Sequence, residues 1–230
     1  MMVLRLLPLL LLLPTWPAAA EACPARRNVD CAGALRAVDA AILADPWLAL
    51  LDQARAMRMA ELAGLLEPNS AAELARQDAV WRRSLSRELF FRPDGSLDEA
   101  DPRAALRGGL EYRLMQMMRL QHDLSASVEG DWRGVQGQVV VRAAGGGHYR
   151  IFVSTVDTDN LSWTCDYDGE GDTTRVEWLP ARDGAVELRR VGTMLRLSML
   201  TTQPQTFCGA GGSLAGDFFR IGDAPAGDLD

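Results

Sequence analysis

The sequence predicts an α+β protein: an N-terminal small four-helix array followed by a C-terminal antiparallel all-β barrel or sandwich. Two observations carry this. Apolar residues recur at helical spacing up to His122 and then switch to near-alternation after Leu124. Glycine pairs that punctuate hairpins occur almost entirely in the second half. A third observation sets the compartment: the chain opens with an export-type leader and carries four cysteines.

The leader is expected over residues 1–22. Arg5 precedes the apolar run Leu6 to Leu13, and Ala18, Ala19 and Ala20 supply the small residues before a cut after Ala20 or Ala22. A bilayer-spanning helix needs about 20 apolar residues, whereas Pro8, Pro14 and Pro17 interrupt this run. The expected location is therefore periplasmic or secreted. In an oxidising compartment, Cys23, Cys31, Cys165 and Cys208 read as disulfides. Three pairings are open, and Cys23–Cys31 with Cys165–Cys208 is the simplest because each stays within one half.

The helical half is placed at residues 23–124. Leu35, Val38 and Ile42 mark one face of a first helix. Asp45 caps a second that starts at Pro46, where a missing N–H costs nothing, and Leu48, Leu51, Met59, Leu62 and Leu66 continue it. After Pro68-Asn69, Ser70 and Glu73 form a capping box for a third helix with Leu74, Trp81, Leu85 and Leu89, ending at Pro93-Asp94-Gly95. Asp101-Pro102 starts a fourth, through Leu106, Leu110, Leu114 and Met118.

Ser125 to Gly130 is the expected linker into a β domain over residues 125–222. Trp132–Arg142, His148–Val156, Leu161–Tyr167 and Val186–Leu200 are its strand-like stretches, within an expected total of about six to eight strands. Turns are expected at Gly145-Gly146-Gly147, Asp168-Gly169, Asp183-Gly184 and Gly211-Gly212. Residues 223–230 read as a flexible tail.

Charge divides the same way. Residues 21–122 hold 14 Arg against 15 acids, and residues 123–230 hold nine Arg against sixteen. The chain has no Lys. An acidic β half disfavours nucleic acid, which demands a basic face.

The stretch Val29 to Asp52 resembles the opening of the LprI-like N-terminal domain, the family named for the lysozyme inhibitor LprI. In that family an Asp-Cys pair is followed by Ala, an acid, Ile-Cys, Asp and Leu-x-x-Leu-Asp. Here Asp30-Cys31, Ala34, Asp39, Ile42-Leu43, Asp45, Leu48, Leu51 and Asp52 hold those places. Trp81 is similar to the family's Trp on a following helix, and Leu106 and Arg113 to its closing Cys-Leu…Arg signature. The resemblance covers the helical half only. Leu43 and Ala105 stand where cysteines are usual, so Cys23 becomes the candidate partner for Cys31. Asp78 stands where a Gln is usual, with Gln77 one step earlier. The resemblance implies an exported envelope binding protein, with inhibition of a lysozyme-type muramidase as its named activity. The motif residues themselves read as mainly structural, with Asp45 and Asp101 as caps and Leu48, Leu51 and Trp81 as core. In the β half, Gly130-Asp131-Trp132 with the late Arg220 is similar to the lipocalin Gly-x-Trp and its packing arginine. That likeness implies the alternative function, a carrier of a small apolar ligand or cell-envelope fragment.

Candidate partner-binding residues are Asp157, Asp159, Asp166, Asp168, Glu170 and Asp172, six acids in sixteen residues with no base between them. Such a run would steer a basic protein such as a lysozyme; the plainer reading is a solubilising face. Asp166, Asp168, Glu170, Asp172 and Glu177 are a calcium candidate, with Gly171 at the sharp turn. Against it, Glu stands at the fifth position and the flanks read as strands, so solvated acids on a hairpin turning at Asp168-Gly169 are the alternative. No catalytic residue is assigned: His122 and His148 are isolated in sequence, and no nucleophile elbow occurs. No cofactor and no enzymatic activity are expected. Most of Trp132, Tyr149, Phe152, Trp163, Tyr167, Trp178, Phe218 and Phe219 are expected in the core.

Overall fold

The computed structural model describes residues 31–90, 102–122, 127–159, 161–201, 203 and 206–225. The expected leader, Cys23, Asp30, the expected cap at Asp101, the expected turn at Pro93-Asp94-Gly95 and residues 226–230 lie outside them. So does the Cys23–Cys31 pairing.

Four helices form in the order expected: α1 (Cys31–Ala44), α2 (Pro46–Leu65), α3 (Pro68–Phe90) and α4 (Pro102–Arg119). Asp45 caps α2, its carboxylate accepting from the amides of Trp47 at 2.8 Å and Leu48 at 3.3 Å. Arg103 at the start of α4 pairs with the same carboxylate. The start of α3 corrects the sequence reading. It begins at Pro68, not at a Ser70–Glu73 box, because Glu67-Pro68 obeys the rule already used for Asp45-Pro46. Ala71 N–H donates to the Glu67 carbonyl at 2.9 Å, and the Ser70 hydroxyl donates to the Glu67 carboxylate at 3.0 Å. Val38, Ile42, Leu48, Leu51, Trp81, Leu85, Leu106 and Leu110 make the helical core. On α4 the expected core residue Met118 is exposed and Met117 is buried. Met117 lies seven residues after Leu110, on the same helix face.

The β half is an eight-stranded antiparallel barrel-like sheet. Its strands are β1 (Gly130–Gly134), β2 (Gly137–Gly145), β3 (His148–Val156), β4 (Thr164–Asp172), β5 (Trp178–Pro180), β6 (Val186–Val191), β7 (Met194–Met199) and β8 (Gly216–Gly222). The order β4-β3-β2-β1-β8-β7-β6-β5 joins each strand to its chain neighbour, with β8 returning to β1. Two expected long strands are hairpins: Trp132–Arg142 turns at Val135-Gln136, and Val186–Leu200 at Gly192-Thr193. Asp168-Gly169 is not a turn, since β4 runs through it to Asp172 and pairs with β3 along its whole length.

Only the β4–β5 seam is thinly paired. Gly171 bridges Ala181, and Arg182 N–H donates to the Glu170 carbonyl at 2.8 Å. A Cβ on Gly171 would lie 2.7 Å from both Leu179 Cδ1 and the Pro180 carbonyl oxygen, so only glycine lets the two edges meet. At the other end of β4 the segment 207–209 takes the vacant edge. Asp166 N–H donates to Phe207 O and Gly209 N–H to Thr164 O, both at 2.9 Å, and the Cys165–Cys208 disulfide lies between them. The disulfide thus fastens a patch over the open seam.

Inside the barrel the described strands bring together one continuous apolar core. Trp132, Val141, Ile151, Leu188, Leu195 and Phe218 are inaccessible to solvent and belong to one continuous core. Strand alternation then turns the neighbouring Phe219 and Met194 outward, where they pack with Leu62, Leu66, Leu74, Met117 and Leu120 of the helical half. Polar clasps fix this joint. Buried Gln77 donates to the Asp217 carbonyl at 2.8 Å and accepts from Val135 N–H at 3.2 Å. Glu67 accepts from the amide and hydroxyl of Thr193 at 3.3 and 3.1 Å. Burial pushes the Glu67 carboxyl up, but hydrogen bonds from its own amide, Ser70 and Thr193 outweigh it and hold it below the usual carboxylate range. The expected linker is already committed at Val128, which is buried in the barrel core and donates to Val176 O at 2.9 Å.

Candidate functional site

Four residues of the helical motif converge on one charged network. Arg82 bridges Asp39 at 2.7 Å and Asp52 at 2.6 Å; Arg55 joins Asp52 at 2.9 Å to Asp78; and Asp78 meets Arg113 at 3.4 Å. Trp81 lies between the two inner guanidiniums, 5.3 Å from Arg55 and 5.9 Å from Arg113. Burial pushes the Arg113 guanidinium down despite the opposing pull of Asp78. Burial likewise raises Asp52, but Arg55 and Arg82 overcome this and leave it below the usual range. Ile42, Leu48, Leu51 and Leu106 are core. Cys31 and Ala34 lie on the α1 backbone. The network ties α1, α2, α3 and α4 together. Gln77 and Asp78, the two residues at the displaced position, divide two tasks: Gln77 clasps the barrel and Asp78 pairs the arginines.

The acidic run is not a bare negative face. Asp157 is buried and organises its own loop, accepting from Asp159 N–H and the Ser162 hydroxyl, both at 2.7 Å. Asp159 sits beside it in that loop. Asp166, Asp168, Glu170 and Asp172 alternate outward along β4. Arg150 of β3 pairs with Asp168 at 3.2 Å, and Arg182, just past β5, pairs with Glu170 and Asp172. Hydrogen bonds from Arg182 and His148 hold the Asp172 carboxyl well below its usual range. The bases come from neighbouring strands, outside the sequence window that looked unpaired. The calcium candidates Asp166, Asp168, Glu170 and Asp172 stand on one outward face of strand β4, where the calcium expectation assumed a loop. Glu177 lies beyond the end of β4, and among the described residues no acid, His or Cys cluster suits a metal.

The lipocalin likeness also changes hands. The arginine over Trp132 is Arg190 of β6, at 4.7 Å, while Trp132 Nε1 donates to Val128 O at 2.9 Å. Arg220 instead crosses Gly130, where a Cβ would lie 2.7 Å from its Nε. The aromatic side chains are mostly spent on core and strand contacts, as expected. His148 meets Asp172 and Arg182 at an exposed strand end.

What the sequence reading missed is an apolar surface on the helices. Trp47, Leu50 and Met57 of α2 are 46, 53 and 67 % exposed, and Met115 and Met118 of α4 are 41 and 62 % exposed. At helical spacing, Trp47, Leu50, Ala54 and Met57 share one flank. The two helices lie side by side: Arg107 of α4 stands over Trp47 at 5.9 Å, and Arg58 of α2 donates to Met117 O at 3.2 Å. Helix α2 is apolar nearly all round, a pattern that calls for cover on both faces. That was the available signal, since α2 has only five polar side chains in twenty residues. Large exposed apolar groups of this kind mark interaction surfaces. Set against protein-family models, curated proteins and solved structures, the chain matches none of them.

Proposed function

We propose that the chain is an exported envelope protein that acts by binding a protein partner through the α2–α4 face. In the LprI-like reading, that partner is a lysozyme-type muramidase. The observation that carries the proposal is the exposed set Trp47, Leu50, Met57, Met115 and Met118. Aromatic and methionine side chains are the groups enriched where proteins meet, and thioethers adapt to irregular partners. Export is supported by the leader at residues 1–22 and by the Cys165–Cys208 bridge. The net negative charge of residues 123–230 favours a basic partner by long-range steering, even though Asp168, Glu170 and Asp172 of β4 are locally paired.

The test adds the mature chain to c-, g- and phage-type lysozymes. At least one should be slowed, and the Met57→Asp/Met115→Asp pair should lose that effect while keeping the native circular dichroism. Full activity of every lysozyme at excess inhibitor rejects the muramidase assignment. Slowing that is unaffected by the double variant rejects the α2–α4 face.

A further inference from the structure

A cavity of about 440 Å³ opens where β1 begins and β8 ends, lined by Ser127, Glu129, Arg142, Arg220, Asp223 and the Ala224-Pro225 segment. It lies within the size range of ligand pockets and is separate from the α2–α4 face. Its floor is built. Arg220 is largely buried, with Nε donating to Glu129 O at 3.3 Å and Nη1 donating to the Gln121 side chain. That leaves Nη2 aimed at the cavity, where it holds Asp223 at 2.7 Å. Arg142 donates to the Pro225 carbonyl from the opposite side. Glu129, the one acid on the wall besides Asp223, is occupied by Ala143 N–H at 3.2 Å.

The two guanidiniums therefore grip one short segment, a carboxylate followed two residues later by a carbonyl. Asp223 is almost fully exposed, so water screens its pair with Arg220 and exchange is easy. Guanidiniums favour carboxylates for their planar, multi-donor match. We propose that the two guanidiniums beside this cleft form a recognition site for an acidic peptide segment of a partner, and that the chain's own Asp223-Ala224-Pro225, which walls the cleft, engages those guanidiniums in cis. A tethered occupant competes at an effective concentration in the millimolar range, so the site is masked in the intact chain.

Calorimetry with the blocked peptide Gly-Asp-Ala-Pro-Ala-Gly tests this on four proteins: the full chain, the chain ended after Gly222, full-length Asp223→Ala, and the shortened chain with Arg142→Gln. The shortened chain and Asp223→Ala should bind at least about tenfold more tightly than the full chain, the gain expected from removing a tethered competitor. Arg142→Gln, or Asn for Asp in the peptide, should remove the gain. Equal affinity of full and shortened chains overturns the proposal, as does equal binding of the Asn peptide. Succinate binding as tightly as the peptide would make this a small-anion site and also overturn it. Should circular dichroism show the shortened chain unfolded, full-length Asp223→Ala decides alone, and affinity unchanged from the full chain refutes masking.

Discussion

Replacing Asp78 with Ala should destabilise the helical half severely, because one carboxylate serves two buried guanidiniums. Arg113 is 4 % exposed and Arg55 9 %. Arg55 would keep Asp52 at 2.9 Å, but Arg113 would keep only the Gln116 side chain at 3.5 Å and the Trp81 ring. Breaking a buried pair by removing one partner costs about 3–5 kcal/mol. Because Arg55 retains a partner, the lower end, about 3 kcal/mol, is expected here. For a chain of this size that lowers the melting temperature by about 6–12 °C. Guanidinium chloride unfolding followed by tryptophan fluorescence would measure it, since Trp81 reports from between the two arginines. The double variant Asp78→Leu/Arg113→Met should recover most of the loss, because a well-packed apolar pair can replace a buried ionic one. A loss below about 1 kcal/mol for Asp78→Ala, the range of an exposed pair, would refute the reasoning and mean that water reaches Arg113.

Opening the Cys165–Cys208 bridge by Cys208→Ala frees a loop with a sequence separation of 43. It should cost about 4 kcal/mol in the chain-entropy model, read as a matching fall in unfolding free energy. Gly171→Val should open the β4–β5 seam, since its side chain meets the Pro180 carbonyl at 2.7 Å; faster amide exchange at Arg182, whose N–H donates to Glu170 O across the seam, would report it, and unchanged protection would refute it. The acid limb of stability should lie low. Asp52 and Glu67 both have carboxyls below their ordinary range when folded. Their stabilisation is therefore complete above the unfolded values near pH 4 and is lost as pH falls through the folded ones. A denaturation midpoint that already drops between pH 7 and pH 5 would contradict this.

The helices and the barrel were legible because each announces a period: Asp45-Pro46 caps α2, and alternation from Trp132 onward announces strands. The start of α3 was misplaced because a Ser-x-x-Glu pattern at Ser70 competed with the simpler Glu67-Pro68 signal. Strand breaks were missed where the turn lacks a glycine pair, as at Val135-Gln136. The turn wrongly expected at Asp168-Gly169 has another cause: Gly169 leaves room for the Tyr167 ring of its own strand and Gly171 for close approach of β5, which sequence alone does not distinguish from chain reversal. The acidic run misled for a related reason. Its neutralising Arg150 and Arg182 are near in register and distant in sequence. The α2–α4 surface was hidden because exposed Met118 and buried Met117 differ by one helical step.

If the molecule holds a protein partner on α2 and α4, as proposed, the most direct measurement is hydrogen exchange of the intact chain with and without whichever muramidase the proposed inhibition assay selects. Protection should appear at Trp47–Met57 and at Met115–Met118, and should vanish for Met57→Asp/Met115→Asp. Protection confined to β4, with the helices unchanged, would contradict the account.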